Sequence, residues 1–186
     1  MINTLSVKIC KSLVKNNIIK FDDFQIYIKK LRKIILFLLD IIGFAIIGIL
    51  FDCLPQMMLF IISFRIMRMF AGGYWLSNYI KNFICFSSLA MISIYISSIN
   101  ELSRNNMTIA IVLMIAAFAI FFKKAPYRVK FSSCSMEEKN RLRKNTFTVY
   151  FLQILLALTL FVVNRNLSSY SCTIAFAIFI QSVTLL

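Results

Sequence analysis

Side chains able to do covalent chemistry are scarce in this sequence. Five cysteines stand at 10, 53, 85, 134 and 172, and there is no histidine. A cysteine nucleophile acts as its thiolate and normally loses its proton to a neighbouring base. Without imidazole that base would have to be a lysine or a carboxylate, and a solvated ammonium is a poor acceptor at neutral pH. The cysteine spacings contain no Cys-x-x-Cys pair and no even framework. Neither a zinc site nor a disulfide scaffold is therefore predicted, no cofactor is expected, and most of the thiols read as small buried apolar groups.

The richest stretch runs from Arg65 to Cys85, RIMRMFAGGYWLSNYIKNFIC. Gly72-Gly73 gives the backbone freedom for a tight turn or a close approach to a ligand. Arg65 and Arg68, with Lys124 further on, can meet a peptide carboxylate or a lipid phosphate, or simply snorkel to headgroups. The expectation is a pocket around Arg68–Asn82, roofed by the 123–146 loop. Elsewhere Asp40 lies in IILFLLDIIGF, where a charge is costly. It reads as a polar contact within a helix bundle, or as a neutral carboxyl hydrogen-bonded to a neighbouring Ser or backbone group.

The elements that must carry these residues are membrane helices. Of the 186 residues 60% are hydrophobic and only 15% charged, and mean hydropathy is +0.83. Soluble domains are nearer about 45–50% apolar and about 25% charged. Four Gly and two Pro exclude collagen-like and low-complexity classes, and 19 Phe exclude disorder. Twenty-one Lys and Arg against seven acids give a net charge of +14. A nucleic-acid reader would need a polar surface to carry that charge, so no nucleic acid is expected. Anionic lipid headgroups are the natural partner.

Residues 1–33 hold eight basic residues among apolar ones spaced by three and four, with Asn16-Asn17 and Asp22-Asp23 as breaks. This predicts a cytosolic amphipathic segment lying on the membrane, with Lys8, Lys11 and Lys15 toward headgroups, rather than a cleaved signal. Residues 34–186 follow as a transmembrane domain with spans at about 34–51, 53–70, 83–99, 107–122, 147–163 and 170–186. The 53–70 span is the least obvious, because its apolar core of 12 residues at 53–64 is short, and a re-entrant hairpin is the other reading. Pro55 suits a first helical turn after Asp52 as a possible cap. Six crossings put 19 of the 21 basic residues on one side, leaving Arg104 and Arg165 opposite. By the positive-inside rule, both termini are then cytosolic. The fold predicted is an all-α integral membrane protein with six transmembrane helices and an N-terminal surface helix.

A second notable loop reads APYRVKFSSCSMEEKNRLRK, in which Ser135 and Glu138 form a capping box. Six spans, this loop, and Arg68 followed by Ala71-Gly72-Gly73 together resemble the accessory gene regulator B (AgrB) family. Its members are bacterial membrane endopeptidases that process quorum-sensing propeptides. The similarity covers nearly the whole chain, although the family's Asn-Lys-Pro is absent between the Ala-Pro and Ser-x-Glu-Glu-Lys elements.

The resemblance implies a plasma-membrane, multi-pass protein, a propeptide of the AgrD type or a peptide-processing partner, and a homodimer. Small residues Ala116, Ala117 and Ala119, with Ser87, Ser88 and Ala90, offer places for close helix contact. It also implies a His followed seven residues later by a Cys, which attacks the peptide carbonyl to form a thioester. Here those positions are Trp75 and Asn82. Substrate binding would fall to Arg65, Arg68, Gly72, Gly73 and Lys124. Three readings follow. The chain is a pseudoenzyme that binds a propeptide or partner; or a peptidase by a different route using Cys85; or a structural or immunity-type membrane subunit. Cys85 is expected to share a helical face with Asn82, about a turn deeper.

Overall fold

In the computed structural model the described residues are 2–16, 24–73, 79–99, 103–126, 136–163 and 167–186. Among them there are seven helices: α1 Ile2–Lys15, α2 Phe24–Leu50, α3 Leu54–Ala71, α4 Tyr79–Ile99, α5 Ser103–Lys124, α6 Met136–Val163 and α7 Ser168–Val183. Five of these, α2 to α6, are long and apolar enough to cross a membrane, while α7 is apolar but has 16 residues. The protein is all-helical, and its apolar helices make it a multi-pass membrane protein. The chain divides into two compact units, Met1–Ile46 and Ile47–Leu186.

In the first unit, α1 has Ser6 and Cys10 buried one turn apart, with Lys8 and Lys11 exposed. α2 runs unbroken across residue 33, where the basic segment was expected to give way to the first span. The reason is local. Lys29, Lys30, Arg32 and Lys33 are good helix formers, with no Gly or Pro among them. The helix has 27 residues, about 40 Å at about 1.5 Å per residue, so its basic first turns extend past the apolar length. Asp40 is buried.

The second unit begins with a tight helical hairpin. The Cys53 N–H bonds the Gly48 carbonyl at 2.9 Å, and the Asp52 N–H bonds Ile49 at 3.3 Å. Asp52 has φ +51. These are the two bonds of a Schellman motif, with Asp52 in the left-handed position that Gly more often fills. Asp52 therefore ends α2 rather than capping α3. The cap position is Cys53, which makes no side-chain capping bond, and Pro55 sits in the first turn as expected. A Cβ on Gly48 would lie 2.8 Å from the Leu54 Cα, so only glycine lets the two helices turn this closely.

α7 is the centre of this unit. It packs against α3, α4, α5 and α6, and Cys172, Thr173, Ile174, Ala175, Ala177, Ile178, Gln181 and Ser182 along it are fully buried. Its small residues let neighbouring backbones approach, as membrane helix contacts require. Outward faces are apolar: Ile80, Ile84 and Ile92 on α4, Val112 and Ile115 on α5, Leu152 and Leu155 on α6. α4 starts four residues before the expected span, at Tyr79, and α6 at Met136 rather than 147, because helix continues into the polar flanks.

Side chains tie the helices together through backbone carbonyls. Tyr150 Oη donates to Met114 at 2.7 Å, Gln153 Nε2 to Ser63 at 2.9 Å and Ser171 Oγ to Ala157 at 2.7 Å. Gln56 meets Ser169 near the starts of α3 and α7, while Ser97 near the end of α4 meets Thr173 near the start of α7. α3 and α7 thus run parallel, α4 antiparallel to both. The end of α3, the start of α4 and the end of α7 gather at one end of the bundle.

Candidate functional site

That end holds the glycine turn. α3 stops at Gly72, whose N–H bonds the Arg68 carbonyl at 3.1 Å and whose φ and ψ are 81° and −144°. Gly73 follows at φ 128°. Both conformations lie in regions that side chains strain to adopt, so the pair is required as a turn. The turn is held from α7: Gln181 Nε2 donates to the Gly72 carbonyl at 2.6 Å. A Cβ on Gly73 would lie 2.6 Å from Thr184 Oγ1 and 3.2 Å from Gln181 Nε2.

One turn before Gly72, Arg68 is only 6% exposed. Its guanidinium lies 5.3 Å from the Phe64 ring centroid and 4.8 Å from that of Phe86. The two rings are themselves in contact, with centroids 4.5 Å apart. A delocalised, weakly hydrated guanidinium suits such an aromatic slot, where an ammonium would not. Arg65 is half-buried, within electrostatic reach of Arg68 and of Tyr79.

Across on α4, Asn82 is 5% exposed, and its Oδ1 accepts no hydrogen bond among the described residues. The buried stripe of α4 runs Asn82, Phe86, Ala90, Ser93, Ser97, so Asn82 sits one turn from the ring over which Arg68 lies. Cys85 is exposed. The shared face expected for Asn82 and Cys85 is therefore corrected. Three residues leave an angular offset of about 60°, and the packing line through 82, 86 and 90 leaves position 85 outside.

Cys10, Cys53 and Cys172 are buried. Burial pushes the Cys53 thiol above its ordinary range, and the Asp52 carboxylate adds to that shift. Cys134 and Trp75 lie outside the described residues, as does Ser135 of the capping box. Lys124 is exposed in the last turn of α5. Among the described residues no group of three or more potential metal ligands occurs. A shallow groove lined by Thr148, Phe151, Leu152 and Leu155 follows the outer face of α6 and is almost wholly apolar.

The structure thus brings Arg65, Arg68, Gly72, Gly73 and Asn82 to one end of the bundle, and adds Gln181 and Thr184. These last two were missed in the sequence. The available signal was a lone amide in an otherwise apolar run, AFAIFIQSV, since buried amides in membrane helices are uncommon without a partner. Chemically the cluster offers a buried cation, an amide with an open acceptor and a rigid backbone turn. It holds no thiolate and no imidazole. A family model described as Accessory gene regulator B matches residues 6–185 of the chain. No curated protein and no solved structure matches it.

Proposed function

This chain belongs to the accessory gene regulator B family, and we propose that it is a non-cleaving member: a membrane pseudoenzyme that binds a propeptide of the signal-precursor type, or a processing partner. The observation that carries this reading is Asn82. The residue at the family's nucleophile position is buried in the bundle, one turn from Phe86, and is an amide. An amide can hydrogen-bond a peptide but has no sulfur to form a thioester. The chain has no histidine to serve as the base. The exposed, outward placement of Cys85 on α4 weighs against that thiol as a substitute.

The arrangement in the membrane follows from the same reading. α7 serves as the sixth crossing, its 16 residues spanning about 24 Å at about 1.5 Å each. Its neighbours shield it, so it needs no full lipid-facing length. Both termini face the cytosol of a bacterial cell, with α1 on the anionic inner leaflet through the exposed Lys8 and Lys11. The glycine turn then faces the cytosol, where a propeptide is delivered, with Arg68 packed one turn before it, and two copies act together as in the family.

Incubation of the purified chain with its co-encoded propeptide, read by mass spectrometry, tests the proposal. Retained binding without cleavage is expected, with binding weakened by Arg68→Ala. Trp75→His combined with Asn82→Cys should restore some cleavage, and neither change alone should. Cleavage by the unaltered chain that is lost in Cys85→Ser would overturn the reading.

A further inference from the structure

The first turns of α6 carry cations directly above an apolar groove. Arg141, Arg143 and Lys144 are exposed, and the groove below them is lined by Thr148, Phe151, Leu152, Ile154, Leu155 and Leu158. Positions 141, 144, 148, 151, 155 and 158 recur at intervals of three and four, so they form one line along the helix. The Thr148 hydroxyl is turned onto the Lys144 carbonyl at 3.0 Å, so the hydroxyl of the groove wall is already satisfied. Glu137 stands on the same line, about 6 Å beyond Arg141 at about 1.5 Å per residue.

Arg143 is not a loose surface charge. Its Nη2 donates to the Phe122 carbonyl at 3.3 Å, and its guanidinium lies 5.6 Å from the Phe122 ring centroid. A layer of rings braces α5 and α6 beneath it, where Phe118 meets Phe122, Phe147, Tyr150 and Phe151. Phe151 belongs both to this layer and to the groove, which holds Arg143 and the groove in one frame. The bond to Phe122 engages one end of a planar, five-donor fork whose geometry suits phosphate oxygens.

The lengths match a lipid of one leaflet. From Thr148 to Leu158 the helix rises about 15 Å at about 1.5 Å per residue, half of the roughly 30 Å hydrocarbon core. Lys144 stands about 6 Å further along, within a headgroup layer of about 5–7 Å, and Arg141 lies one turn beyond it. A partner helix crossing the membrane would need a contact about twice as long as this groove. Ser171, near the start of α7, meets Ala157, in the last turns of α6. The start of α6 therefore lies at the end of the bundle that carries the glycine turn.

We propose that this face of α6 is a binding site for one anionic phospholipid, with its phosphate among Arg141, Arg143 and Lys144 and one acyl chain in the groove as far as Leu158. The proposal goes beyond the pseudoenzyme reading and stands without it.

Native mass spectrometry of the full-length protein in detergent tests it, by titration with dioleoyl phosphatidylglycerol or dioleoyl phosphatidylcholine. The anionic lipid should bind about tenfold tighter or more, given that each basic residue at an anionic surface is worth about fivefold in affinity. Arg141→Gln with Lys144→Gln should remove about tenfold of that binding. Arg32→Gln with Lys33→Gln, an equal charge loss at exposed positions of α2, should leave it as it was. Leu155→Trp fills the groove and should weaken phosphatidylglycerol binding with every cation in place. Should the Arg141 and Lys144 variant not fold, Leu155→Trp carries the test by itself. Equal binding of the two lipids would overturn the proposal, as would equal losses in the α6 and α2 variants. Displacement of the lipid by millimolar inorganic phosphate would overturn it too, by marking a bare anion site. So would lipid binding unchanged in Leu155→Trp; if a dimer falls apart there instead, the groove belongs to a second copy.

Discussion

The guanidinium of Arg68 lies 4.8 Å from the centroid of Phe86, the residue one turn beyond Asn82 on α4. The cation of α3 is thus held by the same helix face that presents the Asn82 amide. Charge, ring and amide form one packed group, and changes in any of them should be felt by the others.

Arg68→Lys keeps the charge but loses the planar group that two rings enclose. A desolvated cation–π contact is worth up to about 2 kcal/mol, and lysine is a poor replacement at a stacked site. Thermal unfolding in detergent should show Arg68→Lys destabilised by about 1–2 kcal/mol, as that range implies. Arg68→Met, which leaves no buried charge, should be less damaging to stability, on the argument that an apolar replacement of a buried charge is often neutral.

Gly73→Ala should destabilise more than an ordinary glycine replacement in a loop. Its φ of 128° and the 2.6 Å approach of Thr184 Oγ1 act together. Backbone strain of this kind costs about 1–3 kcal/mol. Thr184→Ala in the Gly73→Ala background should recover part of the loss, namely the steric part, as a double-mutant cycle would measure.

At the hairpin between α2 and α3, two substitutions should have opposite signs. Gly48→Ala drives a Cβ to within 2.8 Å of backbone at Leu54, and overpacking of this sort costs about 1–3 kcal/mol. Asp52→Gly relieves a side chain held at φ +51; it should stabilise, by about 0.5–1 kcal/mol, because glycine is the preferred residue at that position of the motif. Paired melting curves decide both.

Thiol labelling should sort the cysteines by environment and by pH. Cys85, exposed, should react with a membrane-permeant maleimide, whereas Cys172, with no exposed surface, should react only after unfolding. Cys53 should react slowly at neutral pH, since burial and then Asp52 raise its thiol, and a raised thiol holds less of the reactive thiolate. Its rate should climb as pH rises past about 8.5, the usual cysteine value. Asp52→Asn removes the anion that opposes ionisation, so at a fixed pH labelling at Cys53 should become faster. An unchanged or slower rate would contradict the assignment.

What the sequence alone determined was whatever depends on local composition. Apolar runs and missing polar residues dictate helices in a membrane. Pro55 belongs in a first helical turn, and Gly72-Gly73 marks a tight turn or a close approach. The absence of histidine removes the usual base whatever the fold. Tertiary structure decided which apolar surface meets protein and which meets lipid, because lipid tails and side chains are equally apolar and hydropathy cannot rank them. That is why α7, an apolar helix of 16 residues and shorter than the candidate spans, turned out to be the buried centre. It is also why Asn82 faces inward while Cys85 faces out. The bond from Gln181 to Gly72 crosses 109 positions and ends on a backbone carbonyl, which every residue possesses. No sequence pattern marks such a partner, and only the packing of α7 against α3 could choose it.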